Sequence, residues 1–139
     1  MLAKKIFKIL VLLFIICSTP ALYALQVTDK SPHPFQTNAA IDAKVFISFD
    51  KSVNSLLVSD QSIRIFGRKS GLMEGLINVS SDGRRLEFQS HNPFIPGDRI
   101  QVIISSELEA SDGEKLTNGY SWEFDVENRQ GLPGFTKIQ

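Results

Sequence analysis

Beyond position 24, the side chains with metal chemistry to offer are His33, His91 and Met73. Imidazole and thioether are ligands that copper prefers. His33 stands between Pro32 and Pro34, however, and His91 directly precedes Asn92-Pro93. Both read as solvated turn histidines rather than as a metal pair. Asp112 and Glu114, with Glu107 and Glu109 upstream, make an acidic loop. Calcium takes several oxygen ligands from one compact loop. This spacing does not match such a loop, so a solvated turn is the expectation. Glu87 and Glu123 occupy outward positions of alternating runs, and paired carboxylates for glycoside chemistry need a cleft between them. Asn78-Val79-Ser80 is a glycosylation sequon, set inside a predicted strand. The sequence holds no Gly-x-Ser-x-Gly elbow, no Gly-rich phosphate loop and no evident Ser/His/Asp or Cys/His set. A catalytic centre, a metal and a cofactor are therefore not expected.

Surface contacts are the stronger candidates. Phe46, Phe66 and Ile103 alternate out of phase with the apolar residues around them. Three such residues on one sheet would form an apolar patch, the mark of a partner or a neighbouring domain. Equally open is cover from within the chain, by the segment around Phe35 or the tail around Phe135. Arg64, Arg68 and Lys69 beside Phe66 add a small basic-aromatic cluster that could receive an acidic glycan. A polysaccharide-binding module would need Phe66 or Trp122 exposed as a stacking platform.

The elements that must position these residues show period two, not helical stripes. In Ala43–Phe49, Val45, Ile47 and Phe49 share a face. Ile63 and Ile65, Ile77 and Val79, and Leu86 and Phe88 do the same in three further runs. Ile100, Val102 and Ile104 precede a closing run with Trp122, Phe124 and Val126 inward. Leu25–Asp29 is a candidate first strand. Turn residues separate the runs: Asp82-Gly83 predicts a tight hairpin with both residues at positive φ. In Pro96-Gly97-Asp98, Pro sets the first corner and Gly the second. Asp50–Asp60 is read as one helical turn bridging two sheets, with Leu56 and Leu57 as lids. The fold class predicted is all-β, a sandwich of about seven antiparallel strands.

The first 24 residues differ from the rest. Met1–Lys8 is basic, Ile9–Cys17 is an uncharged run of nine, and Ala21-Leu22-Tyr23-Ala24 offers small residues at a cleavage point after Ala24. That is the pattern of a secretory signal. The apolar run is shorter than the roughly 20 residues of a spanning helix, so no stable span is expected after cleavage. The domain is placed at residues 25–127, with a flexible tail or linker over 128–139. The chain has 15 basic and 15 acidic residues; without Lys4, Lys5 and Lys8 the balance is 12 against 15, a net charge of −3. That balance argues against nucleic acid, which selects a clustered basic face. Cleavage after Ala24 would also remove the one cysteine, Cys17, so the core must hold by packing alone.

Four stretches in order resemble a known family. They are Ser31-Pro32 with Ala40–Asp50, Ser80–Phe88 around Asp82-Gly83, Pro93–Val102 around Pro96-Gly97-Asp98, and Ala110–Leu116 before Trp122-Glu123-Phe124. Together they resemble the bacterial Ig-like domain of the SbsA (surface-layer) type, over about Val27–Val126. Ile100 stands where that family often has Tyr, and Phe94 where Leu is commoner. The resemblance implies an Ig-like β-sandwich acting as a non-catalytic spacer or interaction module. It implies an exported protein at the periplasm, cell surface or outside, whose partner is another envelope or surface protein or an adjacent domain. The periplasmic copper-resistance carriers are a nearby family, with a Pro-Gly turn and an Asp-Gly-His segment. Here the segment reads Asp112-Gly113-Glu114, without the histidine. A copper or ligand carrier is thus the alternative function, beside a polysaccharide-binding accessory module.

Overall fold

The computed structural model describes residues 23–128. The predicted leader therefore lies outside the described residues except for Tyr23 and Ala24, as does the predicted tail after Asn128. Eight strands form: β1 (Val27–Ser31), β2 (Val45–Phe49), β3 (Ile63–Gly67), β4 (Gly71–Leu72), β5 (Gly75–Val79), β6 (Arg85–Ser90), β7 (Arg99–Ile104) and β8 (Tyr120–Asp125). They make two four-stranded antiparallel sheets, ordered β1-β2-β6-β5 and β4-β3-β7-β8. This is the Ig-like sandwich, with the two-residue β4 added at one edge.

Period two explains why these runs pair as they do. In β2, Val45, Ile47 and Phe49 are buried and the residues between them half-buried. A one-residue slip would turn that apolar face to water. The register instead sets Val45 against Phe88 and Ile47 against Leu86. Across the core, Val102 stands opposite both Ile65 and Trp122. Each fully buried Val, Ile, Leu or Phe contributes about 1.5–3 kcal/mol, so the shared inner face outweighs any single turn. Phe94, the departure noted above, packs edge-on against Phe124 with ring centroids 5.9 Å apart. Trp122 is buried, and its indole Nε1 donates to the Pro32 carbonyl at 2.8 Å. The segment after β1 is tied down there.

The turns answer to their residues, with one difference. Asp98 N donates to Ile95 O at 3.0 Å, and Gly97 sits at φ 68°. The Pro96-Gly97 corner is thus a turn with glycine at its second position. At the β5–β6 hairpin only Gly83 has positive φ (71°). Gly83 N donates to Ser80 O, and Ser80 N closes the loop on Arg85 O. The Asp82 carboxylate takes the Ser80 hydroxyl and the Arg84 N–H, which holds Asp82 out of the left-handed region. The loop is therefore four residues long, not a two-residue turn.

Asp50–Asp60 forms turns and no helix. Val53, not Leu56 or Leu57, inserts into the core: Val53 is buried, whereas Leu56 is 91% and Leu57 54% exposed. Backbone bonds decide this. Val53 N donates to Gly83 O and Asn54 N to Glu109 O, both at 2.8 Å, which pins Val53 inward and leaves the following turn outside.

Candidate functional site

The structure divides the predicted patch. Phe46 lies on β2, whereas Phe66 and Ile103 lie on β3 and β7 of the facing sheet. Both sheets turn these residues outward, so Phe46 and Phe66 look in opposite directions. Alternation tells which side of its own sheet a residue takes, not which sheet the strand joins. Phe46 is half-buried beneath Arg85, whose guanidinium carbon lies 4.3 Å from the ring centroid. Phe35 does not cover either face; it is 83% exposed, at φ 61°.

The other four candidate residues meet on the outer face of β3 and β7. Arg64 stands opposite Ile103, and Phe66 lies between Leu72 and Gln101. Arg68 follows directly, its N–H given to Arg99 O at 2.9 Å. Arg68, Phe66, Arg99, Gln101 and Glu123 line a shallow depression. Arg99 is engaged there with Asp125, through Nε at 2.7 Å and Nη2 at 3.2 Å. That hydrogen bond holds Asp125 below the usual carboxylate range and Arg99 above its usual one. What remains is a half-apolar, mildly basic face. Trp122 is absent from it, because its ring is in the core, so a stacking platform for sugar would rest on Phe66 alone.

The remaining sequence candidates are dispersed. His33 and His91 are exposed in separate loops. Among the described residues no group of three His, Cys, Asp or Glu side chains is placed to hold a metal ion. Glu87 pairs with Lys44 at 2.8 Å on the sheet opposite to that of Glu123. In the acidic loop, Asp112 meets Lys51 at 2.9 Å and Glu107 meets Lys115. The hydrogen bond from Lys51, then that from Glu114 N, lowers the Asp112 pKa.

One residue matters more than sequence reasoning gave it. Asp98 is wholly buried. One carboxylate oxygen accepts from Lys69 N at 2.9 Å and Arg99 N at 2.8 Å. The other accepts from Ser70 N at 3.1 Å and Ser70 Oγ at 2.8 Å. Burial alone would raise its pKa; the bonds from Lys69, Ser70 and Arg99 outweigh burial and lower it. Its carbonyl also accepts from Val126 N at 2.8 Å. The β3–β4 turn, the start of β7 and the exit of the chain are thus clasped by one residue. Gly67 makes room for it: a Cβ there would lie 2.3 Å from Asp98 Oδ2 and 1.8 Å from Ser70 Oγ.

The clasp lies at the far end of the sandwich from where the chain comes in. Leu25, buried, donates its N–H to Lys115 O beside the Ser52–Gly83 loops. From there β1 runs up the sheet, from Phe49 toward Phe46 of its partner. β8 runs the same way on the facing sheet, from Ile104 to Arg99. The chain therefore passes through the domain from end to end.

Comparison with known proteins agrees with this architecture. The family model described as the bacterial Ig-like domain matches residues 23–126. No curated protein sequence matches the chain. Among solved structures, domains 1–6 of the surface-layer protein SbsC are similar at 16% identity and a TM-score of 0.58. The match covers 77% of this chain and 14% of that one. The E. coli alpha-2-macroglobulin is similar at 19% identity and a TM-score of 0.61, over 79% of this chain and 6% of that one. CopC from Methylosinus trichosporium OB3b is similar at 19% identity and a TM-score of 0.58, over 78% of this chain and 98% of that one. The chain thus spans a small part of the first two and nearly all of the third.

Proposed function

We propose that this chain, which belongs to the bacterial Ig-like domain family, is exported and serves as a non-catalytic structural or protein-interaction module of the cell envelope or surface. The observation that carries this reading is the path of the chain. It comes in beside Lys115 at one end and leaves beside Asp98 at the other, each time on backbone hydrogen bonds. A sandwich threaded in this way sets a neighbour docked at its Lys115 end and the chain beyond Asp98 at a fixed separation, as a spacer must. Its partner is another envelope or surface protein or a neighbouring domain. Exposed apolar residues lie at both ends, Leu56 near the incoming chain and Ile95 beside the clasp. Photo-crosslinking residues at positions 56 and 95, used in the producing cell, test the reading. Adducts with envelope proteins are expected; a chain recovered only from the cytoplasm, without adducts, overturns it.

A second reading, a periplasmic carrier of copper or another small ligand, draws on the likeness in extent to CopC. It predicts a copper-dependent rise in melting temperature that disappears in His33→Ala and His91→Ala. The spacer reading predicts no such rise.

A further inference from the structure

A sheet edge is a row of backbone donors and acceptors, and folded proteins protect such rows. Three of the four edges in this sandwich are protected. β1 carries Asp29 and Lys30, contains a bulge after Val27, and runs into Pro32. β4 has two residues. β8 is covered by the segment after β1: Phe35 N donates to Glu123 O, Asp125 N to Gln36 O, and Ala39 N to Asp125 O. β5 differs. Its sequence, Gly75-Leu76-Ile77-Asn78-Val79, has no charge and no proline, and it lies at the end of its sheet.

The register tells which of its backbone groups are in use. Ser80 N donates to Arg85 O and His91 N to Glu74 O, so Ser80–Arg85 and Glu74–His91 are hydrogen-bonded pairs. Antiparallel pairing alternates. Leu76 and Asn78 therefore bond to β6, while the N–H and C=O groups of Gly75, Ile77 and Val79 point away from it. Beneath this edge the two sheets part into a groove of about 480 Å³, lined in part by Ile63, Phe66, Met73, Ile77 and Phe88. Leu72, about three-fifths exposed, lies at its rim.

We infer that β5 pairs antiparallel with β5 of a second copy of this chain, joining two four-stranded sheets into one. The strand suits itself. About a two-fold axis at Ile77, Ile77 meets Ile77 of the second copy, and Gly75 meets Val79, so all the outward groups pair. The same register sets Leu76 against Asn78 and Glu74 against Ser80 of the other copy, so no like charges meet. Ile77 of each copy covers the other over the groove. A five-residue edge buries less than the roughly 1,200–2,000 Å² of a tight complex. The dimer is therefore expected to be in concentration-dependent exchange with the monomer.

Sedimentation velocity across micromolar to millimolar concentrations of the chain tests this through a charge swap. Both positions are exposed and both double variants carry lysine at 78, opposite Glu87 of β6, so their melting temperatures should agree. Leu76→Lys with Asn78→Lys sets lysine against lysine at both cross-strand pairs and is expected to weaken dimerisation about tenfold or more. Leu76→Glu with Asn78→Lys sets glutamate against lysine and is expected to restore it. A parent chain that stays monomeric throughout, or two double variants that associate equally, overturns the inference.

Discussion

The two ends of the sandwich each carry an aspartate next to a glycine in a loop, and both aspartates have lowered pKa values. Asp98, at the end where the chain leaves, is wholly buried and holds three backbone N–H groups and a hydroxyl. Asp112, at the end where the chain comes in, is exposed and held chiefly by Lys51. A buried carboxylate cannot exchange its partners for water, so removing it strands every group it served. An exposed ion pair trades one solvated arrangement for another and is screened by salt. Similar loop chemistry therefore makes a clasp at one end and a surface contact at the other.

The largest effect is expected from Asp98→Ala. It leaves the N–H groups of Lys69, Ser70 and Arg99 without their acceptor and should cost about 3 kcal/mol or more, read as a lowered urea midpoint. A parent-like midpoint would remove the clasp from the account. Gly67→Ala pushes a methyl group into the same site and should cost about 1–3 kcal/mol by overpacking. Its loss should be much smaller in an Asp98→Ala, Ser70→Ala background, because the obstructing atoms are then gone.

Acid sharpens the contrast further. The folded pKa of Asp98 lies below the ordinary carboxylate value. Its stabilisation is therefore complete above that ordinary value, near 4, and is lost as pH falls through the lower folded one. Melting temperature in the parent should drop over that acidic range, and Asp98→Asn should flatten the drop. A parallel fall in both proteins would assign it to other carboxylates. The smallest effect is expected from Lys51→Ala or Asp112→Ala, with no resolvable change in melting temperature at physiological salt. A clear loss there would mean that both ends are clasped alike.

These residues also show what sequence could reveal. The strands were legible because a period of two has one consequence wherever water lies on one side and core on the other: Val45, Ile47 and Phe49 could face only inward. Pro96-Gly97 was legible because proline and glycine each carry their own backbone angles. Asp98 was not, since an aspartate after Pro-Gly looks like an ordinary turn residue. Its burial depends on Gly67, Lys69 and Ser70, of which Lys69 is 29 and Ser70 is 28 residues away in sequence. The only local signal was Gly67 ending an alternating run just before Arg68-Lys69-Ser70. The split of Phe46 from Phe66 was hidden for a related reason, because strand pairing is nonlocal. Leu56 and Leu57 misled because Val53 is smaller, yet Val53 is the residue that backbone bonds to Gly83 hold inside. β4 is too short to show any period at all.

Native-state hydrogen exchange at neutral pH measures the asymmetry of the two ends most directly. Four amides bonded to these aspartates are compared: those of Lys69, Ser70 and Arg99 on Asp98, and that of Glu114 on Asp112. The first three should exchange only with global unfolding, and Glu114 orders of magnitude faster. Comparable rates for all four amides would contradict the account.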